Sequence, residues 1–198
     1  MNIDAEYLLF DHIEKCNLKD AELIIESGLA NINCKNINGF TPLHYSIFHN
    51  KEMFIEIFLQ FCPDLNTRIN FDCGYITPLI SAVKNSNFYL TSILIENGAN
   101  INMTDRQGLS PLHHSCLKKH KGIIKLLLKH SADINQRDMY GFNAKYYANE
   151  NKDLNNDIEL MTVLGNILKI TTKDIHDYKT EFNRVHVIVD KRKKKFKK

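Results

Sequence analysis

The stretch Gly39-Phe40-Thr41-Pro42-Leu43-His44 decides the fold, because near copies of it recur along the chain. One copy is Gly108-Leu109-Ser110-Pro111-Leu112-His113, and a more divergent copy between them is Tyr75-Ile76-Thr77-Pro78-Leu79-Ile80. The interval from Thr77 to Ser110 is 33 residues, whereas the interval from Thr41 to Thr77 is 36 residues. A period of this length is typical of stacked repeats, so the chain is predicted to be a repeat array with a three-residue insertion in one unit.

A second motif alternates with the first. Residues 96–102 read Glu-Asn-Gly-Ala-Asn-Ile-Asn, residues 129–135 read Lys-His-Ser-Ala-Asp-Ile-Asn, and residues 26–33 are a near copy with one extra residue. Gly28 and Gly98 lie in this motif directly after apolar stretches, where a glycine favours the left-handed end of a helix.

Each Thr-Pro or Ser-Pro pair predicts the start of a helix. The hydroxyl group can accept hydrogen bonds from free N–H groups of the first turn, and proline suits the first helical position because the missing N–H does no harm there. Apolar residues then recur at helical spacing in a second helix of each unit, at Phe54-Ile55 with Phe58-Leu59, at Leu90 with Ile93-Leu94, and at Ile123-Ile124 with Leu127-Leu128.

On these motifs the 33-residue unit resembles the ankyrin repeat. The resemblance implies an all-α fold, an ankyrin-repeat solenoid of stacked helix pairs with short β-hairpin fingers at the junctions. It places an ankyrin-repeat domain at residues 1–168, with about five repeats at 2–35, 36–68, 69–104, 105–137 and 138–168. A C-terminal extension at 169–190 and a basic tail at 191–198 follow.

Two units depart from the repeat pattern. In the third unit, Tyr75 stands where a turn glycine is usual and Ile80 stands where the motif histidine is usual. The inserted residues lie around 69–71 and predict a longer finger there. The fifth unit has Asn143-Ala144 in place of Thr-Pro, as expected for a terminal unit with one face in water.

Composition and charge limit the class of protein. The sequence has no run of 18 apolar residues, so it predicts no transmembrane helix. The first ten residues lack the basic start of a secretory signal. The five cysteines are odd in number, and their spacings are typical of neither a disulfide framework nor a zinc site, which favours reduced thiols. We therefore expect a monomer that is cytoplasmic, nuclear or both, and that is not secreted by a signal peptide.

The resemblance implies a partner-binding site on the concave face, which is made by the fingers and the inner surface of the first helices. The positions that correspond to this face carry a set of candidate partner-binding residues: Lys35, Ile37, Phe40, Phe48, His49, Arg68, Phe71, Ile76, Lys84, Arg106, Gln107, Leu109, Lys118, Arg137, Tyr140 and Phe142.

Two patterns stand out in that set. Cations recur at each junction, and a row of large apolar residues, Phe40, Ile76, Leu109 and Phe142, occupies a place that the family normally leaves exposed. Cations beside exposed apolar groups would suit a protein partner with an acidic-hydrophobic segment, and alanine at Phe40, Phe48 and Phe142 would then leave the fold intact. In the alternative interpretation, the basic side chains only solvate the surface and the apolar row packs between the fingers.

The other reactive residue types have structural explanations. The resemblance implies that His44 and His113 bond the backbone of a neighbouring unit. His114, His120 and His130 lie at no recognised metal-ligand spacing, and Asp11-His12 near Cys16 shows no activating group. We expect no catalytic residue, no cofactor and no metal.

The C-terminal region has weaker signals. Residues 157–168 predict a last helix, 171–182 a further short helix, and 184–190 a strand or an extended segment. The tail at 191–198 holds seven Lys or Arg residues and Phe196. It has three interpretations: a solvated end, a nuclear localisation signal in Lys191, Arg192, Lys193, Lys194 and Lys195, or a contact with nucleic acid or anionic lipid.

The function that follows is a protein–protein interaction scaffold or adaptor, not an enzyme. A host-interaction effector of a virus, parasite or intracellular bacterium is one form of this function. The first alternative is an IκB-like inhibitor that masks a transcription factor, although the chain has no DSGxxS motif and its tail is basic. The second is a nucleic-acid-associated protein that uses the tail.

Overall fold

The computed structural model describes residues 3–70 and 74–149 of the chain. In these residues the chain forms helices and no regular strand. The helices are α1 (Ile3–Glu14), α2 (Leu18–Glu26), α3 (Pro42–Phe48), α4 (Glu52–Gln60), α5 (Pro78–Lys84), α6 (Phe88–Glu96), α7 (Pro111–Leu117), α8 (Lys121–Lys129) and α9 (Ala144–Asn149). The predicted helices at 157–168 and 171–182 and the segment at 184–190 lie outside the described residues.

The predicted helix starts are confirmed. The side chains of Thr41, Thr77 and Ser110 accept hydrogen bonds from backbone N–H groups three residues later, at 3.2–3.4 Å. A proline follows each of them at the start of α3, α5 and α7. Asn143 replaces the Thr-Pro start in the fifth unit, where its side chain accepts from the N–H of Tyr146 at 3.2 Å.

The helices stack in two layers. In the first layer α1, α3, α5, α7 and α9 contact one another in chain order, and in the second layer α2 contacts α4 and α6 contacts α8. The leucine of each Pro-Leu pair is almost completely buried, as are Phe58, Leu94 and Leu127 of the second helices. Burial of these side chains between neighbouring units stabilises the stack, as the helical spacing of the apolar pairs predicts.

The fingers are built around an Asn or Asp that bonds its own turn. The side chain of Asp105 accepts from the N–H groups of Gln107 and Leu109 at 2.8 and 3.0 Å. Asn36 and Asp138 make the same pair of bonds at the start of their fingers. Antiparallel bridges join Ile69 to Ile76 and Arg137 to Asn143, so the hairpin fingers are present, as short turns rather than extended ribbons.

Asparagine side chains also link the units. Asn33 and Asn102 close copies of the second motif, and Asn66 stands at the equivalent place between them. Each of these side chains accepts, at 2.8 Å, from a backbone N–H of the next unit, namely that of Asp64, Asn100 and Asp133 respectively. These bonds satisfy backbone groups that would otherwise lack partners, which explains why asparagine closes the motif.

The motif histidines join neighbouring units, as the resemblance implies. In His44, Nε2 lies 3.2 Å from the carbonyl oxygen of Ile76, and Nδ1 lies 2.7 Å from the hydroxyl of Thr41. A carbonyl can only accept, so Nε2 donates, and burial lowers the pKa of His44, which keeps the ring neutral near pH 7. His113 repeats this arrangement with the carbonyl oxygen of Phe142 at 3.2 Å.

Burial of these histidines makes the stability of the stack depend on pH. Burial lowers the pKa of His44 to about 4 and also lowers the pKa of His113. The unfolded chain therefore binds protons first, and stability is present above pH 6.5 and is lost as the pH falls toward 4. For His44 alone, the loss is roughly 3 kcal/mol at about 1.4 kcal/mol per pKa unit.

We expect the free energy of unfolding, measured by urea denaturation at fixed pH values, to fall between pH 6.5 and 4. The slope of the free energy of unfolding against pH should be smaller in His44→Gln, because glutamine takes up no proton on unfolding. His49→Gln, at an exposed ring in the same unit, is the matched control and should retain the wild-type slope. Identical slopes in wild type and His44→Gln would contradict the assignment.

Candidate protein-interaction surface

The backbone holds the fingers in a row. The N–H of Arg106 donates to the carbonyl of Gly74 at 3.1 Å, and the N–H of Met139 donates to the carbonyl of Gln107 at 2.9 Å. The turn at Gly108 has φ +81°, and a Cβ there would lie 2.9 Å from backbone atoms of Asp138 and Met139. The fingers at residues 69–76, 105–109 and 138–142 thus pack directly against one another.

The four junction cations lie on the exposed side of the fingers. Lys35, Arg68, Arg106 and Arg137 are all exposed, and so is Lys118 at the end of α7. Arg68 lies 5.9 Å from the ring centre of Tyr75, and Arg137 donates to the carbonyl of Gly141 at 2.7 Å. The four cations are therefore accessible, and Arg68 and Arg137 are oriented by contacts within their own fingers. Their role in binding stays a prediction.

The predicted exposure of the apolar row was wrong. Phe40, Ile76, Leu109 and Phe142 are all buried, with at most 7% of their surface exposed. An Asx turn folds the chain back over Phe40, Leu109 and Phe142, whereas Ile76 pairs with Ile69 in an antiparallel bridge. The ring of Phe142 also stacks on that of Tyr146, with ring centres 4.1 Å apart. The alternative of packing between the fingers is the correct one, so alanine at Phe40 or Phe142 would damage the fold.

Other apolar side chains take the exposed positions. Ile37 and Tyr140 project at the finger tips, and Phe48 lies half exposed at the end of α3 beside His49. Tyr75, Leu117 and Met139 are also exposed on these elements. Tyr75 was not predicted, because the sequence pattern marked it only as a replacement for glycine.

Three further histidines lie on α7 or at the ends of α8. His114 lies 2.9 Å from the carboxylate of Asp105, and both side chains are buried. His120 begins α8 and accepts from the N–H of Ile123, whereas His130 ends that helix. Burial alone would raise the pKa of Asp105, but hydrogen bonds from His114 and from backbone N–H groups outweigh it and lower that pKa.

The cysteines divide into two kinds. Burial raises the pKa of Cys34 and Cys116 to about 12, so both thiols stay neutral within the core. Cys16 is exposed, with its sulfur 2.9 Å from the amine of Lys51, and nearby Asp11 pairs with Lys15 at 2.7 Å. Asp11 and Cys16 thus each contact a lysine side chain.

Some sequence predictions fall elsewhere. Phe71 and the tail at 191–198 lie outside the described residues, so the nuclear signal stays a prediction. Lys84 is half buried and Gln107 is exposed. Within 3–70 and 74–149, no helix is long and apolar enough to cross a membrane.

Known proteins share the repeat. The family model for ankyrin repeats in three copies matches residues 9–105 and 79–174. An ankyrin repeat protein of fowlpox virus is 37% identical over 102 residues, 51% of this chain and 29% of the viral protein. One from Rickettsia bellii is 31% identical over 138 residues, 68% of this chain and 51% of the bacterial protein.

A third relative is the nuclear factor NF-kappa-B p105 subunit of Gallus gallus, which is 38% identical over 96 residues, 47% of this chain and 10% of that protein. The matches thus span about half or less of these relatives' own lengths. Ankyrin repeats are protein–protein interaction modules, and the family is in general a non-enzymatic binding scaffold. Given the family match over most of its length and the stacked helix pairs it forms, the chain belongs to the ankyrin-repeat family.

Proposed function

We propose that the chain is an adaptor that binds a partner protein through its concave face, at the finger tips and the ends of the first helices. The observation that carries the proposal is the row of exposed cations, Lys35, Arg68, Arg106 and Arg137, interleaved with exposed apolar side chains. Apolar groups that lose contact with water supply most of the affinity at protein interfaces. Cations around them favour an acidic partner segment and speed its encounter.

A host-interaction role is the form of this function that the relatives favour. The ankyrin proteins of fowlpox virus and Rickettsia bellii match longer stretches of this chain, 102 and 138 residues, than the 96 residues that the p105 subunit matches. We therefore propose that the acidic-hydrophobic partner is a host protein. The proposed compartments are the cytoplasm and the nucleus, with the chain acting as a monomer.

The proposed face is tested with a triple variant, Ile37→Ala/Phe48→Ala/Tyr140→Ala. These side chains are exposed, so we expect folding to be retained, whereas affinity capture with quantitative mass spectrometry should lose the partners of the wild type. Truncation of three exposed contacts should lower the affinity by tenfold or more if any one of them is an interface anchor.

The matched control is Leu23→Ala/Met53→Ala/Tyr89→Ala, which truncates three exposed side chains on the second helices. This variant should capture the same proteins as the wild type. A partner that remains bound to the concave-face variant but is lost from the control would place the interface on the second-helix layer. That result would contradict the proposal.

The match to the p105 subunit supports a second candidate, an inhibitor that masks a transcription factor. In that case the captured partner would be a DNA-binding protein. Addition of the chain would reduce DNA binding by that partner in an electrophoretic mobility shift assay, and the concave-face variant would not. A partner that binds DNA equally well with and without the chain would exclude masking.

A further inference from the structure

A groove lies between α1 and the first finger, at the N-terminal end of the stack. Its volume is about 340 Å³, and α1 forms one wall while residues 35–38 and Tyr45 form the other. A space of this size is at the small end of ligand pockets and would accept one large side chain with its neighbours. The groove is absent from the sequence predictions because the first unit lacks the Thr-Pro-Leu-His motif.

Aromatic side chains line this groove. Tyr7 is 73% exposed at its rim, and Phe10 meets Tyr45 edge to face with ring centres 5.6 Å apart. Tyr45 in turn lies 4.3 Å from the ring centre of His49. An exposed tyrosine beside an ordered aromatic pair is a surface on which another ring or the stem of a lysine can pack.

The charge of the groove is opposite to that of the finger row. Three carboxylates, those of Glu6, Asp11 and Glu14, face a single cation, Lys35, across the space. Asp11 is partly neutralised by Lys15 at 2.7 Å. The groove therefore favours an occupant that carries several positive charges and an aromatic or apolar side chain.

The chain itself contains a segment of this chemistry. Residues 191–198 read Lys-Arg-Lys-Lys-Lys-Phe-Lys-Lys, seven cations with one phenylalanine. Acidic residues outnumber basic ones in the rest of the chain, so this segment is the strongest positive charge in the sequence. We propose that the groove between α1 and the first finger binds residues 191–198 of the same chain, with Phe196 against the tyrosine rings and lysines beside the carboxylates.

The reach of the chain permits this contact. The first-layer helices stack in the order α1, α3, α5, α7, α9, and at ~8–10 Å per step the groove lies about 40 Å from α9. Residues 175–190, beyond the family match, would span about 50 Å when extended at ~3.3 Å per residue. An intramolecular contact also benefits from a high effective concentration.

The test uses a fluorescein-labelled peptide with the sequence of residues 189–198, followed by fluorescence polarisation. The receptor is the full chain with a neutralised tail, in which the seven Lys and Arg residues are changed to Gln and Phe196→Ser is added. We expect saturable binding that weakens as salt is raised, because ion pairs at an exposed groove are screened.

Groove residues are then changed in the same receptor. Glu6→Gln/Glu14→Gln/Tyr7→Ala should weaken peptide binding about tenfold, because it removes two charges and an exposed ring. The matched control is Glu26→Gln/Glu96→Gln/Tyr89→Ala, which removes the same groups from the second helices, and it should bind as the unmodified receptor does. Equal affinity of both variants would overturn the proposed site.

The wild-type full chain decides whether the tail occupies its own groove. It should bind the added peptide at least fivefold more weakly than the receptor with the neutralised tail, at every protein concentration. An equal affinity would mean that the groove takes a basic segment of another protein. If the wild-type chain binds the peptide more weakly only at high chain concentration, the tail of one copy occupies the groove of another. Either result would overturn the intramolecular proposal.

Discussion

Leu127→Ala is expected to lower the free energy of unfolding by about 2–5 kcal/mol, the range for removing a large buried aliphatic side chain. Leu127 is fully buried in α8, in a cluster with Leu112 and Cys116 of α7 and Ala144 of α9. Alanine would leave a cavity, because neighbours in stacked helices can close only partly around it. The loss is a large share of the ~5–15 kcal/mol that stabilises a typical domain.

Urea denaturation followed by circular dichroism would measure this change. Leu23→Ala is the matched control, since Leu23 is 62% exposed on α2, and it should shift the free energy of unfolding by about 0.5 kcal/mol or less. A denaturation midpoint of Leu127→Ala close to that of the wild type would contradict the burial of this side chain.

Gly108→Ala is expected to lower the free energy of unfolding by about 2–5 kcal/mol for a different reason. The left-handed backbone at φ +81° would cost roughly 1–2 kcal/mol with any Cβ. The Cβ would also lie 2.9 Å from the Cα of Asp138 and the backbone nitrogen of Met139. Because backbone atoms cannot rotate away, the finger at residues 138–142 must shift, which adds about 1–3 kcal/mol of overpacking.

Gly141→Ala isolates the two contributions. Gly141 has φ +85°, but nothing lies within 4 Å of the position of its Cβ, so this variant should lose only the roughly 1–2 kcal/mol of backbone strain. Gly108→Ala should in addition disturb the N–H of Met139, which donates to Gln107, and faster amide exchange there would report it. Equal losses in the two variants would show that the fingers do not touch as described.

The local sequence was sufficient for the helix starts. Thr-Pro and Ser-Pro signals act within one turn, and every such signal in the described residues begins a first-layer helix. Other local conformations left no signal. Within residues 3–70 and 74–149, seven non-glycine residues adopt positive φ. Tyr75 does so in a finger turn. The other six, Cys16, Asn50, Cys62, Ser86, Lys119 and Ser131, do so because the stack forces a tight turn directly after a helix.

The candidate binding face was predicted only in part. Its cations are exposed, since long charged side chains stay exposed in almost any packing, but their role in binding stays a prediction. Of its apolar residues, Ile37, Phe48 and Tyr140 are exposed. Phe40 and Leu109 are buried, because the identity of a residue does not show whether a finger folds over it. The groove beside α1 was missed altogether, since its two walls come from α1 and the first finger, which are about twenty residues apart in the chain.

The sequence by itself determined the repeat, its period, the helix starts and the leucines of the core, because each depends on residues close together in one unit. Only the tertiary structure decided which apolar side chains meet solvent, which fingers touch, and where carboxylates and aromatic rings converge. Those features depend on contacts between units, such as His44 with Ile76 and Gly108 with Asp138. The spacing of a repeat predicts that its units stack. Which side chains reach the surface depends on how closely neighbouring units pack.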